Sequence, residues 1–269
     1  MAESVNSYNY LEDYLERVRS KGRYSFTLVE LKEQFEISDK ALNQNLYRLK
    51  SKKRIAQIRK GFYAIITPEY SNRGMLPVHN FIDDLMKSMD RRYYVGLLSA
   101  AALHGAAHQQ PMEYFVVTEK PAVRNIKNKK LKINFYVKKE WADNDIQQKK
   151  TEAGYINVSS PELTALDLFY YPHVAGLNRT VTILKELVET IKIPSLIKTA
   201  KNYSQTVAIQ RLGYILDKEI KNKKLSGVLL KILNERRHFI TPLLLGKSKK
   251  GKIDVKWKII RNTDIESDI

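Results

Sequence analysis

Residues 27–66 carry the pattern that most constrains the fold. Thr27 followed three positions later by Glu30 is a capping box. The hydroxyl and the carboxylate of such a pair each satisfy a backbone N–H of the other residue, so the pair marks a helix start. Leu28, Leu31 and Phe35 then fall on one side of a helix. The dipeptide Glu36-Ile37 makes a tight turn into Ser38, an N-cap for a third helix over Asp39–Lys52, with Ala41 or Leu42, Leu46 and Leu49 at helical spacing. Arg54 to Arg59 alternates apolar and polar residues, Lys60-Gly61 supplies a turn, and Phe62 to Ile66 pairs back. A first helix over Tyr8–Ser20, with Leu11, Tyr14, Leu15 and Val18 on one stripe, ends at Gly22. Three short helices closed by a hairpin predict a winged helix-turn-helix over residues 1–67.

With Leu42, Leu46 and Leu49 turned inward, Lys40, Asn43, Gln44, Tyr47 and Arg48 face away from the core. Amides pair bidentately with adenine and guanidinium groups with guanine, so these residue types suit base edges. Lys52 and Arg54 extend the basic surface past the helix, and Arg59 and Lys60 sit at the tip of the wing, where phosphate or minor-groove contact is expected. These nine residues form the expected DNA-binding set. A winged helix used for protein contact, or a plain bundle with a solvated polar face, are the competing readings.

Charge favours a polyanionic partner. Lys and Arg number 47 against 29 Asp and Glu, a formal net charge of +18. Solubility, or the lysine bias of an AT-rich genome, is the alternative source of such an excess. From Lys218 to Arg261 there are fourteen Lys and Arg against three acids. Lys223, Lys224, Arg236, Arg237, Lys247, Lys249, Lys250 and Lys252 form a candidate second DNA surface, with a solvated lysine-rich face or contact with an acidic protein as the other readings. No apolar run reaches the roughly 18 to 20 residues of a membrane span. The N-terminus carries acids where a signal peptide has basic residues, so the expected location is the cytoplasm, with no membrane partner. Without cysteine, disulfides and thiolate metal sites are excluded.

Pro68, Asn72, Gly74 and Pro77 break all periodicity, so 68–77 is expected to link the first domain to a larger one over 78–269. The second domain is predicted to open with helices at 78–89 and 93–107. Strands follow at Tyr114–Thr118, Leu131–Val137 and Tyr155–Val158, then a helical run over 161–233 and an extended basic tail over 240–261. The expected class is α+β: a winged helix-turn-helix, then a mixed α/β domain with a small sheet and a helical bundle. Tyr93-Tyr94 and Tyr170-Tyr171 are expected to pack against the core with their hydroxyls outward. His104 and His108 share a helical spacing but no third ligand lies nearby, and Asp254 and Lys256 resemble half of a nuclease core without partner acids. Clustered glycines and nucleophile elbows are absent. Metal, cofactor and catalytic residues are therefore not expected.

The segment Gly96–Gly105 (GLLSAAALHG) precedes His108-Gln-Gln-Pro111 and a short strand; Ser160–Phe169 (SPELTALDLF) is a capped helix with proline at its first position, and Gly176–Arg179 (GLNR) follows. Together with the N-terminal pattern, this order of parts, from about residue 8 to about 220, resembles the AbiEi family of abortive-infection antitoxins. The resemblance implies a repressor that binds inverted repeats of double-stranded DNA in its own promoter, cooperatively and from a monomer in solution. It also implies an antitoxin of a type IV system that counters a nucleotidyltransferase-like toxin of the AbiEii type, without need of a stable complex, in defence against phage. The reader helix would map onto Lys40–Lys52, the wing onto Arg54–Ile66, and antitoxicity onto the second domain. A winged-helix-guided nuclease, or a regulator without a toxin, are the alternatives.

Overall fold

The computed structural model describes residues 9–106, 113–248 and 250–265. The chain divides into two compact units: residues 1–93, 122–135 and 148–157, and residues 94–121, 136–147 and 158–269. The first unit begins with helix α1 (Asn9–Ser20), strand β1 (Ser25–Thr27), helix α2 (Leu28–Gln34), helix α3 (Asp39–Ser51) and strands β2 (Ile55–Arg59) and β3 (Phe62–Ile65). The three strands form a sheet ordered β1-β3-β2, with both pairings antiparallel. Gly61, at φ +77°, takes the left-handed conformation that the β2–β3 turn requires. Leu11, Leu15, Phe26, Leu31, Leu42, Leu46, Leu49, Ile55 and Ile65 fill one apolar core beneath it. The stretch from 68 to 77 holds a short 3-10 turn at Pro68–Tyr70 and a buried Leu76. Residues 78–93 lie in the same unit as the three helices.

Next come helix α4 (Ile82–Lys87), strand β4 (Tyr93–Val95), helix α5 (Leu97–Leu103) and strands β5 (Tyr114–Thr118), β6 (Ile126–Lys127), β7 (Lys132–Val137), β8 (Ile146–Thr151) and β9 (Gly154–Ser159). These strands make one sheet in the order β6-β7-β5-β4-β9-β8. The sheet is larger than the three strands expected, and residues 93–95, expected as helix, are its parallel partner to β9. The run Tyr-Tyr-Val-Gly-Leu-Leu is apolar throughout and carries no period, so a buried strand and a buried helix read alike there.

The expected helical run resolves into five helices: α6 (Pro161–Tyr170), α7 (Leu177–Leu187), α8 (Ile193–Asn202), α9 (Thr206–Lys218) and α10 (Lys223–Asn234). Ser160 caps α6 by accepting from Leu163 N–H, and Pro161 takes the position where a missing N–H costs nothing. At the heart of this unit lies Asp167, wholly buried. Its carboxylate accepts Tyr94 Oη at 2.6 Å, Tyr203 Oη at 2.7 Å and Lys138 Nζ at 2.6 Å. Burial first, and then the Asp167 charge, pushes both phenols well above their ordinary pKa, so they stay neutral donors. Tyr171 donates to the Val137 carbonyl at 2.8 Å, and Tyr93 to Asp83 at 2.8 Å. The tyrosine pairs thus pack as expected, but these hydroxyls point inward to partners, because a buried hydroxyl needs one.

The chain closes with strands β10 (Thr241–Pro242), β11 (Lys252–Asp254) and β12 (Ile259–Arg261), ordered β10-β12-β11. Trp257, fully buried, anchors this sheet on α9. Its Nε1 donates to Asp217 at 3.0 Å, and its carbonyl accepts from Gln210 at 3.1 Å. The indole lies where a side chain at Gly213 would be, so only glycine lets α9 meet it. Gly213→Ala is expected to push Trp257 out and cost about 1–3 kcal/mol by overpacking. Denaturant melts and a red-shifted tryptophan emission would register it; an unchanged melt and spectrum would show that the site relaxes freely.

Candidate nucleic-acid interface

Ser38 starts α3 by accepting the Ala41 N–H at 3.3 Å. Leu42, Leu46 and Leu49 are buried, each at 2% exposure or less. Opposite them, Lys40, Asn43, Gln44, Arg48 and Lys52 are exposed, and Tyr47 is 68% exposed. One residue of α3 that sequence reasoning missed is Asn45, which is buried and donates to Tyr10 Oη at 2.9 Å, tying α3 to α1. Its amide type matched the outward residues, and only its position on the leucine side distinguishes it.

The helix before α3 is fixed at its first turn. Thr27 Oγ1 accepts the Glu30 N–H at 3.1 Å, and Glu30 Oε2 accepts the Thr27 N–H at 2.6 Å, so the expected capping box is present. Arg23 pairs with Glu30 at 2.9 Å and with Asp84 of α4 at 3.4 Å. Ser25 Oγ also donates to Asp84, at 2.6 Å. Burial alone would raise the Glu30 pKa, but the Arg23 hydrogen bond and the Thr27 N–H outweigh it and hold the carboxyl below its ordinary range.

The β2–β3 hairpin carries the second group of candidate residues. Its register shifts between Gln57 and Arg59, and Arg59 and Lys60 are exposed at the turn. Arg59 Nη1 also donates to Met89 Sδ. Lys50 Nζ donates to Gln57 at 3.4 Å, joining the end of α3 to β2. Arg54, expected at this surface, is half-buried and pairs with Glu12 at 3.0 Å and Glu16 at 3.7 Å on α1.

The residues of the candidate second basic surface are not equivalent. Lys224, Arg237, Lys247, Lys250 and Lys252 are exposed, with Arg237 over the Phe239 ring. Lys223 pairs with Asp217 at 2.7 Å. Arg236, expected at this surface, is a structural clamp instead. It donates to the carbonyls of Tyr203 at 2.6 Å, Ala200 at 3.0 Å and Lys201 at 2.5 Å, which lie at the end of α8. Lys249 lies outside the described residues. So does His108, while His104 Nε2 bonds the Ser159 carbonyl at 2.7 Å. Asp254 pairs with Lys218 at 2.9 Å and Lys256 with Asp217 at 3.0 Å. Among the described residues, no group of three His, Asp or Glu is placed to hold a metal ion, and no helix is long and apolar enough to cross a membrane.

Both halves of the chain match one family. Residues 13–66 match a family model described as "Transcriptional regulator, AbiEi antitoxin". Residues 94–218 match another, described as "AbiEi antitoxin C-terminal domain". The chain belongs to the AbiEi antitoxin family, and its N-terminal part is of the transcriptional-regulator type. Among solved structures, it is similar to the RV2827C protein from Mycobacterium tuberculosis, at 16% identity and a TM-score of 0.65 over 94% of this chain and 91% of that one. That likeness concerns the fold. No curated protein sequence matches the chain.

The lowered Glu30 pKa sets a direction for stability against pH. A carboxylate depressed in the native state contributes stability above its unfolded pKa and loses it as the pH falls toward the native value. Glu30→Gln is therefore expected to lower stability at neutral pH and to flatten its acid side. Melts of both proteins across the acid range would check this, and parallel curves would refute it.

Proposed function

We propose that residues 1–67 are a winged helix-turn-helix that reads operator DNA through α3, with the β2–β3 hairpin as its wing. The observation that carries this reading is the exposed row Lys40, Asn43, Gln44, Tyr47 and Arg48, set opposite the buried Leu42, Leu46 and Leu49. The target is a pair of inverted repeats in the promoter of its own operon, bound cooperatively from a monomer in solution. Residues 78–269, joined through 68–77, act as the antitoxin against a nucleotidyltransferase-like toxin of the AbiEii type, in a type IV abortive-infection system of the cytoplasm. Membership of the AbiEi family supports the regulatory and antitoxin halves of this reading alike. A nuclease has less support, since Asp254 and Lys256 are engaged in ion pairs within the unit. The protein works by binding and not by catalysis.

Replacing Gln44 and Arg48 together with alanine is expected to abolish discrimination between operator and scrambled DNA, at about 1–3 kcal/mol for each base pair no longer read. Thermal stability should be unchanged, since both side chains are exposed. Gel shifts on both duplexes would measure the effect, and undiminished selectivity would reject the α3 face.

Arg59→Ala with Lys60→Ala is expected to weaken binding to every sequence. The slope of log affinity against log salt should flatten by about 0.9 for each phosphate no longer neutralised. A slope equal to that of the unaltered protein would take the wing out of the interface.

A further inference from the structure

The loop that joins α10 to β10 is held from several sides. Arg236 clamps it to the end of α8 through the Tyr203, Ala200 and Lys201 carbonyls. His238 Nδ1 lies 2.9 Å from the Arg236 carbonyl, and Lys258 Nζ donates to the His238 carbonyl at 3.3 Å. Gln210 of α9 donates to the Phe239 carbonyl at 3.0 Å, and the Thr241 N–H donates to the Lys258 carbonyl at 3.0 Å. Out of this fixed frame the Phe239 ring projects into solvent, 66% exposed. The Arg237 guanidinium lies over that ring, 5.1 Å from its centroid, and Arg237 is itself exposed.

A phenylalanine left in water forgoes the free energy that its burial would contribute. Here the backbone on both sides of the ring is bonded to the unit, and the ring alone stays outside. The result is an aromatic face held in a fixed place with a cation stacked on it, within the range of a cation–π contact. Nucleobases stack on aromatic faces and on guanidinium planes alike. The chain around the platform is basic. Between Lys231 and Arg261 ten Lys and Arg stand against two acids, Glu235 and Asp254, and Asp254 is already paired with Lys218.

These features restrict the ligand. In a duplex each base face is covered by its neighbours, so a surface ring meets only sugar, phosphate and base edges there. A second copy of this chain, docked through the same loop, would bring Arg237 toward Arg237. An unpaired base answers both the ring and the guanidinium, and its phosphates answer the surrounding charge. We propose that Arg237 and Phe239 form a stacking platform for an unpaired base of a single-stranded nucleic acid, with the Lys258 ammonium at the His238 carbonyl as a further cation for the backbone. Because the loop is already fixed, binding orders little of the chain. The platform shares no residue with α3 or the β2–β3 hairpin, and it depends on neither the operator reading nor the antitoxin reading.

Three variants of the full chain test this: Phe239→Ala, Phe239→Trp and Arg237→Lys, with thermal melts to confirm that each folds. The probes are fluorescein-labelled single-stranded RNA and single-stranded DNA of about 12 nucleotides, and the matching DNA duplex, followed by anisotropy. Phe239→Ala is expected to weaken single-strand binding by about fivefold or more and to leave duplex affinity unchanged. Arg237→Lys keeps the charge but loses the plane, so it should weaken single-strand binding as well. Phe239→Trp should keep the affinity, and its emission should be quenched by the single strand beyond any quenching in the unaltered protein, which carries two tryptophans. Whichever of RNA and DNA binds more tightly names the natural strand, and either supports the platform. Single-strand affinity unchanged in Phe239→Ala, or a bound strand that leaves the emission of Phe239→Trp unquenched, overturns the proposal. No binding of either strand by the unaltered protein overturns it too. Self-association of the unaltered protein that Phe239→Ala abolishes, with single-strand affinity intact, overturns it in favour of a second copy.

Discussion

Burial of Leu42, Leu46 and Leu49 settles the orientation of everything else on α3. A helix of thirteen residues has one face to hide, and once three leucines are inside, the residues a half-turn away have no choice but water or a ligand. The rest of the N-terminal group serves that orientation. Asn45 holds α3 to Tyr10 of α1, Lys50 reaches the hairpin, and the β1-β3-β2 sheet closes the core from the other side. For the DNA-reading role proposed above, rigid support matters because base recognition tolerates little positional error. Long side chains on a loosely held helix would spend their binding free energy on ordering.

The second unit is organised around polar burial. Asp167 brings a carboxylate into a site from which water is excluded, and three donors from distant parts of the chain converge on it. Such a network is costly when incomplete and specific when complete. It ties β4, the residue after β7, α6 and the end of α8 to one point. The Asp217 cluster does similar work at the C-terminal end. Burial would raise the Asp217 pKa, but Lys223, Trp257 and Lys256 outweigh it and hold the carboxyl well below its usual range. Lys223 and Lys256 of the basic tail are thereby engaged within the unit.

What could be read from sequence follows the range of the interactions involved. The Thr27–Glu30 box, the Ser38 cap and the leucine stripe are local, and each is found where its spacing places it. Strand β1 is three residues long and exists only through its pairing with β3, some 35 positions on, so nothing near Phe26 announces it. The apolar run at 93–98 hides a strand, β4, that periodicity cannot separate from helix. Side-chain commitments are harder still. Arg54 and Arg236 have the residue type expected at a DNA surface, and only folded coordinates show their guanidinium groups spent on acids and helix-end carbonyls within the unit.

Arg23 has a consequence for where the N-terminal module ends. Its guanidinium is shared between Glu30, which closes the first turn of α2, and Asp84 on α4, which also holds Ser25. A transplant of residues 9–66 into another host would leave that arginine and that hydroxyl short of a carboxylate. The smallest portable N-terminal module therefore extends through α4, well past the point where the hairpin stops.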